Sequence, residues 1–197
     1  MSDFTLWFTT GLEHIADWQG YDHILFLLVL CAGYAHTDWK RVLVLITAFT
    51  LGHSLTLALS VLNIFTLRSG ITEFLIPVTI LFTSVVNLVQ IRHPAARRSR
   101  GVYSMALVFG CIHGMGFSYL LRSMLGDTTA IAGPLFAFNL GLEAGQLIIV
   151  AAVMLISLFL SALTKIKPAD KTFFLSSAVF GIAFIMMLER LNALLTN

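Results

Sequence analysis

The sequence predicts an all-α fold, a polytopic transmembrane helical bundle of six spans with a short N-terminal interfacial helix. Three observations lead there. Of the 197 residues, 58% are hydrophobic and only 11% are charged, whereas a soluble domain carries about 25% charged residues to solvate its surface. The mean hydropathy is +0.90. The apolar residues fall into six runs divided by short polar breaks, and the basic residues collect in alternate breaks. These features exclude an ordinary soluble enzyme, a disordered chain and a nucleic-acid-binding module. A span needs about 20 residues, so the length leaves almost nothing for an extramembrane domain, and residues 1–197 read as a single transmembrane domain.

The elements follow in order. Residues 4–18 form a short amphipathic helix at the membrane surface, or an outer extension of the first span. Spans are expected at about 21–35, 42–65, 74–91, 102–121, 131–163 and 173–195. The fifth run exceeds one crossing, so it tilts, projects beyond the bilayer or breaks near Gly141 and Gly145. The N-terminus has neither a basic stretch nor a small-residue cleavage site, and reads as mature protein. Cys31 and Cys111 both fall in apolar runs, which does not suggest a disulfide framework.

Orientation comes from the basic residues. With six spans, one side receives Lys40, Arg41, Arg92, Arg97, Arg98, Arg100, Lys165, Lys167 and Lys171, and the other only Arg68, Arg122 and Arg190. Lys and Arg stay preferentially in the cytoplasm, so both termini should face outward from the cytoplasmic membrane.

Function must come from the polar groups inside the bilayer, where an ionisable residue costs at least about 2.5–3.5 kcal/mol to insert. His14, Asp22 and His23 converge at the outer entrance of the first span and read as metal ligands, whereas Glu13 and Asp17 read as interfacial. His53 lies 11 residues past Val42, about 17 Å into the membrane, on a helix that also carries the stripe Thr47, Thr50 and Ser54. His113 lies 11 residues past Val102, again about 17 Å deep, among glycines that suit close helix approach. Cys111 faces elsewhere and reads as packing. Asn139, Glu143 and Gln146 share one helix face, with Glu143 about 18 Å in from the outside. In a core about 30 Å thick, His53, His113 and Glu143 therefore reach one depth. Two imidazoles and a carboxylate there can hold a divalent ion, with Ser54, Asn139 and Gln146 supporting the ligands. The competing reading is a hydrogen-bonded network that only locks the bundle. Asn87 and the Glu189–Arg190 pair carry weaker signals, and the methionines form no metal-handling cluster.

Four motifs then resemble one family. Gly11-Leu-Glu-His14 with Gly20-Tyr-Asp22-His23, Phe49-Thr-Leu-Gly-His53-Ser54, His113-Gly-Met-Gly-Phe117 and Asn139-Leu-Gly-Leu-Glu143-Ala-Gly-Gln146 are similar to the HupE/UreJ family of bacterial membrane proteins. That resemblance implies a nickel or cobalt permease with His14, Asp22, His23, His53, His113 and Glu143 as ligands. His14 and Asp22 are eight residues apart, and no His-rich stretch is present, so the likeness is to a second, nickel/cobalt-permease-like branch.

The expected function is a divalent-metal permease for nickel, cobalt or zinc. The alternative is an intramembrane metal-dependent hydrolase acting on a lipid or peptide through metal-bound water, with Glu143 and Ser54 catalytic. A purely structural subunit is the third reading. The lipid bilayer and the metal ion are the expected partners, with no nucleotide and no nucleic acid, and homo-oligomerisation is left open. Whether the outer His/Asp group and the midplane His/Glu group make one site or two is also open.

Overall fold

A computed structural model describes residues 3–18, 20–91, 100–125, 131–164 and 166–196. Among the described residues the chain is all-helical, with seven α-helices and one 3₁₀ turn. These are α1 (Asp3–Ala16), α2 (Asp22–Cys31), α3 (Trp39–Val61), α4 (Ser69–Gln90), α5 (Arg100–Leu125), α6 (Ala132–Leu163) and α7 (Pro168–Thr196), with the turn at His36–Asp38. The helices α3 to α7 are five elements long and apolar enough to cross a membrane, which marks a multi-pass membrane protein. The basic positions Arg92, Arg97, Arg98 and Lys165 lie outside the described residues.

Helix ends follow local chemistry. The second apolar run continues to Phe65, yet α3 stops at Val61, because Asn63 adopts φ 58°. Asn tolerates that left-handed conformation. The Asn63 amide then donates to Ser60 O (3.1 Å) and the Ile64 amide to Leu59 O (2.9 Å), a Schellman closure that satisfies two terminal carbonyls. Arg122 donates to the Ser60 carbonyl as well.

Glycines set the packing. A Cβ at Gly110 would collide with the Phe49 carbonyl, one at Gly114 with the His53 carbonyl, and one at Gly52 with that of Leu107. This register makes α3 and α5 a parallel pair in backbone contact. A second parallel pair joins α1 to α6, where Gly11 meets Phe138, Gly141 meets Phe8 and Gly145 meets Ile15. Without a hydrophobic drive between helices in lipid, such small-residue contacts are what bring backbones together. α6 therefore runs unbroken for 32 residues, about 48 Å. Its glycines serve α1 and introduce no break.

The sequence left the N-terminal helix as a surface helix or an outer extension of the first span. In the structure α1 is docked lengthwise on α6. α2 has only ten residues, about 15 Å of helix, too short to cross alone. It starts where α1 ends and runs on toward the C-terminal end of α4 and the start of α7. There Asn87 donates to Val29 O (2.6 Å) and Thr172 to Ala32 O (2.7 Å), which satisfies carbonyls at the end of α2. Asn87 thus has a structural task.

Gly110→Ala should lower unfolding free energy in bicelles by about 1–3 kcal/mol through overpacking. Gly181, with nothing within 4 Å of an added Cβ, should accept Ala neutrally or gain up to about 1 kcal/mol. Equal stability of the two variants would contradict the close approach of α3 and α5.

Candidate metal centre

Four helices each deliver one histidine to the same place. His14 comes from the last turn of α1, His23 from the first turn of α2, His53 from α3 and His113 from α5. One ring nitrogen from each of His14, His23 and His53 lies within 4.8 Å of the others. The ring centroids are 4.9 Å apart for His14–His23, 6.0 Å for His23–His53 and 6.2 Å for His14–His53. His113 stacks edge-on against His23 at 5.1 Å. The helix break makes this possible, because it carries residues 14 to 23 to the depth of His53. The two groups of histidines read separately in the sequence therefore meet.

The surroundings are apolar and closed. Phe117 lies 3.9 Å from the His14 ring, and Phe26 and Phe49 each lie 5.2 Å from that of His113. His53 and His113 are 0% exposed and His23 is 4%. Sequence reasoning missed these phenylalanines, though the signal was there. Phe26, Phe49 and Phe117 stand three or four residues from His23, His53 and His113, the spacing that places side chains on one helical face.

Within this box, His14 Nε2, His23 Nε2, both His53 nitrogens and His113 Nδ1 are buried with no hydrogen-bond partner among the described residues. Buried polar atoms are nearly always paired, and an unpaired one costs about 1–3 kcal/mol. Several converging in one place suit a shared electrophile. Imidazoles are ligands for nickel, zinc, copper and iron, so the donor set fits a transition-metal cation.

Asp22 acts one step back. Its Oδ1 lies 2.9 Å from His23 Nδ1 and also accepts the His23 backbone amide at 2.8 Å. A carboxylate oxygen that accepts from Nδ1–H leaves the lone pair on His23 Nε2, the arrangement that orients ligating histidines in metal sites. On the far side, Thr79 Oγ1 of α4 lies 3.0 Å from His113 Nε2.

The remaining polar residues form a seam between α3 and α6. Ser54 donates to Asn139 Oδ1 (2.6 Å), Thr50 to Gln146 Oε1 (2.6 Å) and Thr47 to Glu143 Oε1 (3.4 Å). The stripes Thr47/Thr50/Ser54 and Asn139/Glu143/Gln146 thus face one another. Glu143 is not in the histidine group; depth alone does not bring it there, because its side of α6 meets Thr47. Cys111 Sγ is likewise outside the group.

Comparison with family models matches residues 1–191 to the model described as HupE / UreJ protein. The chain belongs to the HupE/UreJ family. Comparisons with curated proteins and with solved structures gave no match. In this HupE/UreJ protein, the matched residues include those of the histidine box and of the α3–α6 seam.

A double-mutant cycle on Ser54→Ala and Asn139→Ala should give a coupling near 0.6 kcal/mol and no more than about 1.7 kcal/mol, the range of interhelical hydrogen bonds in membranes. Zero coupling in the unfolding free energy would remove Ser54–Asn139 from the seam.

Proposed function

We propose that this protein is a divalent-metal permease of the bacterial inner membrane whose cargo is nickel or cobalt. The observation that carries this reading is the set of buried, unpartnered imidazole nitrogens in one phenyl-walled box. His14, His23 and His53 bind the ion, His113 stands beside them, and Asp22 holds His23. Glu143 serves on the α3–α6 seam, where its carboxylate adds negative charge to a membrane-embedded path. The metal association of the HupE/UreJ family supports the choice of cargo.

The path needs six crossings with both termini outside. In this reading α1 and α2 are two halves of the first crossing, and the ion site lies at their break. Broken helices are a recurrent way to present an ion site within a bilayer, because free helix ends supply ligands or partial charge. The distribution of basic residues supports the orientation. Lys40, Arg41, Lys167 and Lys171 gather at the end of the bundle where α2 closes on α7, whereas Arg122 and Arg190 bind Ser60 O and Glu73 at the other.

Alternating access then has physical units. α1–α6 and α3–α5 are glycine-locked pairs, which meet along the polar seam and at the stack of Phe117 on Phe138. The histidines are divided, with His14 on one pair, His53 and His113 on the other and His23 on α2. Sliding along the seam opens the box without breaking either pair. No observation favours the hydrolytic reading, since Ser54 already donates to Asn139 and Glu143 accepts from Thr47.

Purified protein should hold about one equivalent of nickel or cobalt, and proteoliposomes should take the ion up. His53→Ala/His113→Ala should lose at least tenfold in both metal content and uptake while remaining monodisperse. A double variant that retains its metal would defeat the site. A wild type that binds metal but never transports it would defeat the permease. In a background with Cys31 and Cys111 replaced by Ala, Ser54→Cys/Asn139→Cys should, when oxidised, bind nickel yet stop uptake, and reductant should restore it. Undiminished uptake with the cross-link formed would refute movement along the seam.

A further inference from the structure

Thr79 lies on α4, an element with no ligand in the box, and neither the sequence motifs nor the proposed path gives it a task. Its hydroxyl makes two contacts. One runs to Ile76 O at 2.7 Å and the other to His113 Nε2 at 3.0 Å. A hydroxyl has one proton to donate and lone pairs to accept with. The carbonyl can only accept, so the proton goes to Ile76 O, and the second contact is satisfied when His113 Nε2–H donates to Thr79. A neutral imidazole carries one proton, so Nδ1 is left with its lone pair. Nδ1 is also the buried His113 nitrogen without a partner. The opposite tautomer would bury an Nδ1–H donor with nothing to receive it, at about 1–3 kcal/mol.

We infer that Thr79 is a positioning residue, fixing His113 as the Nε2–H tautomer so that its Nδ1 lone pair serves the ion as a fourth imidazole donor. The inference rests on the metal-site reading for its consequence, though not for the tautomer itself. His23 packs against the His113 ring at 5.1 Å, which places His113 beside the group of His14, His23 and His53. The assignment parallels that of Asp22 on His23 by other means. A carboxylate selects Nε2 as the ligand atom of His23, and a hydroxyl selects Nδ1 as that of His113.

The place is built to keep this contact. Thr79 is 4% exposed, and β-branching restricts its χ1 on a helix. Outside it lies an apolar groove of about 410 Å³ lined by Leu75, Val78, Phe82, Val108 and Ile112 among others. The other hydroxyl that lines the groove, Ser104, stands nine residues before His113 on α5, about 13 Å along the helix, too far to replace the one removed.

The test uses full-length protein in lipid, with ¹⁵N-labelled histidine and Co²⁺ as the probe. Wild type and Thr79→Ser should show His113 protonated at Nε2 in the metal-free state, and Thr79→Val should lose that preference. Thr79→Val should bind Co²⁺ about tenfold more weakly, in line with other outer partners of metal ligands, and shift the visible ligand-field bands. Thr79→Ser should restore both. Adding Thr79→Val to His113→Ala should cost nothing further. An Nδ1–H tautomer in the wild type, unchanged affinity and bands in Thr79→Val, or additive losses would overturn the assignment. If wild type bound no Co²⁺ the metal-site reading would fail, whereas the tautomer of the metal-free protein judges Thr79 alone, even if Thr79→Val does not fold.

Discussion

Imidazole nitrogens buried where no neighbouring group reaches them are the constraint around which this molecule is organised. An apolar box would be cheapest filled with more apolar side chains. Here it holds four histidines, with five ring nitrogens lacking a partner among the described residues. Each such atom costs on the order of a kilocalorie or more, and a bilayer supplies no water from the side to relieve it. The surrounding structure must therefore hold these rings in place against a local penalty. A cation reaching the lone pairs offsets that penalty directly.

The glycine-locked pairs perform the holding. His53 and His113 come from α3 and α5, whose backbones touch at Gly52, Gly110 and Gly114, and the contact at Gly114 is with His53's own carbonyl. Ring position and helix register are therefore one constraint on that side. On the other, Gly11, Gly141 and Gly145 fix α1 on α6 and so fix His14 in the last turn of α1. Helix polarity contributes as well. The C-terminal end of a helix carries partial negative charge and favours a cation, and His14 is at such an end. The opposite polarity at the start of α2 is met by Asp22, whose carboxylate sits in the first turn.

Much of this was legible in the sequence, and the failures have physical causes. α3 to α7 follow from unbroken apolar runs, and the shared depth of His53 and His113 follows from the rise of a helix. The seam residues announced themselves by spacing, since each stripe repeats at helical intervals. Pairing was not legible, because nothing local says which face of α6 meets which helix. Spacing gave Glu143 the depth of His53, yet its carboxylate meets Thr47, six residues away on α3. The place of α1, left open between a surface helix and an outer extension of the first span, was not legible for a related reason. A mixed helix of 14 residues, a break and a ten-residue helix that turns apolar after Asp22 and His23 resemble a surface helix and a short span, and only Gly11 hinted that α1 packs against another backbone. Thr79 carried no signal beyond being a polar residue two positions after Pro77.

The charge balance of the box bears on what it does with an ion. Imidazole donors bring coordination without negative charge, and the carboxylate hydrogen-bonded to the ring set, Asp22, acts through His23. A divalent ion held this way keeps part of its charge uncompensated in a low-dielectric setting, where that is expensive. Resident metal centres are also built from imidazoles alone, as in three-histidine zinc sites, so the placement of the carboxylates matters here only for the ion's charge. A conducting site must bind well enough to draw the ion from water and weakly enough to release it. Moving the negative charge one residue outward, to Asp22 behind His23 and to Glu143 on the seam, meets both demands. In the permease reading, this indirect placement of the two carboxylates suits transit of the ion.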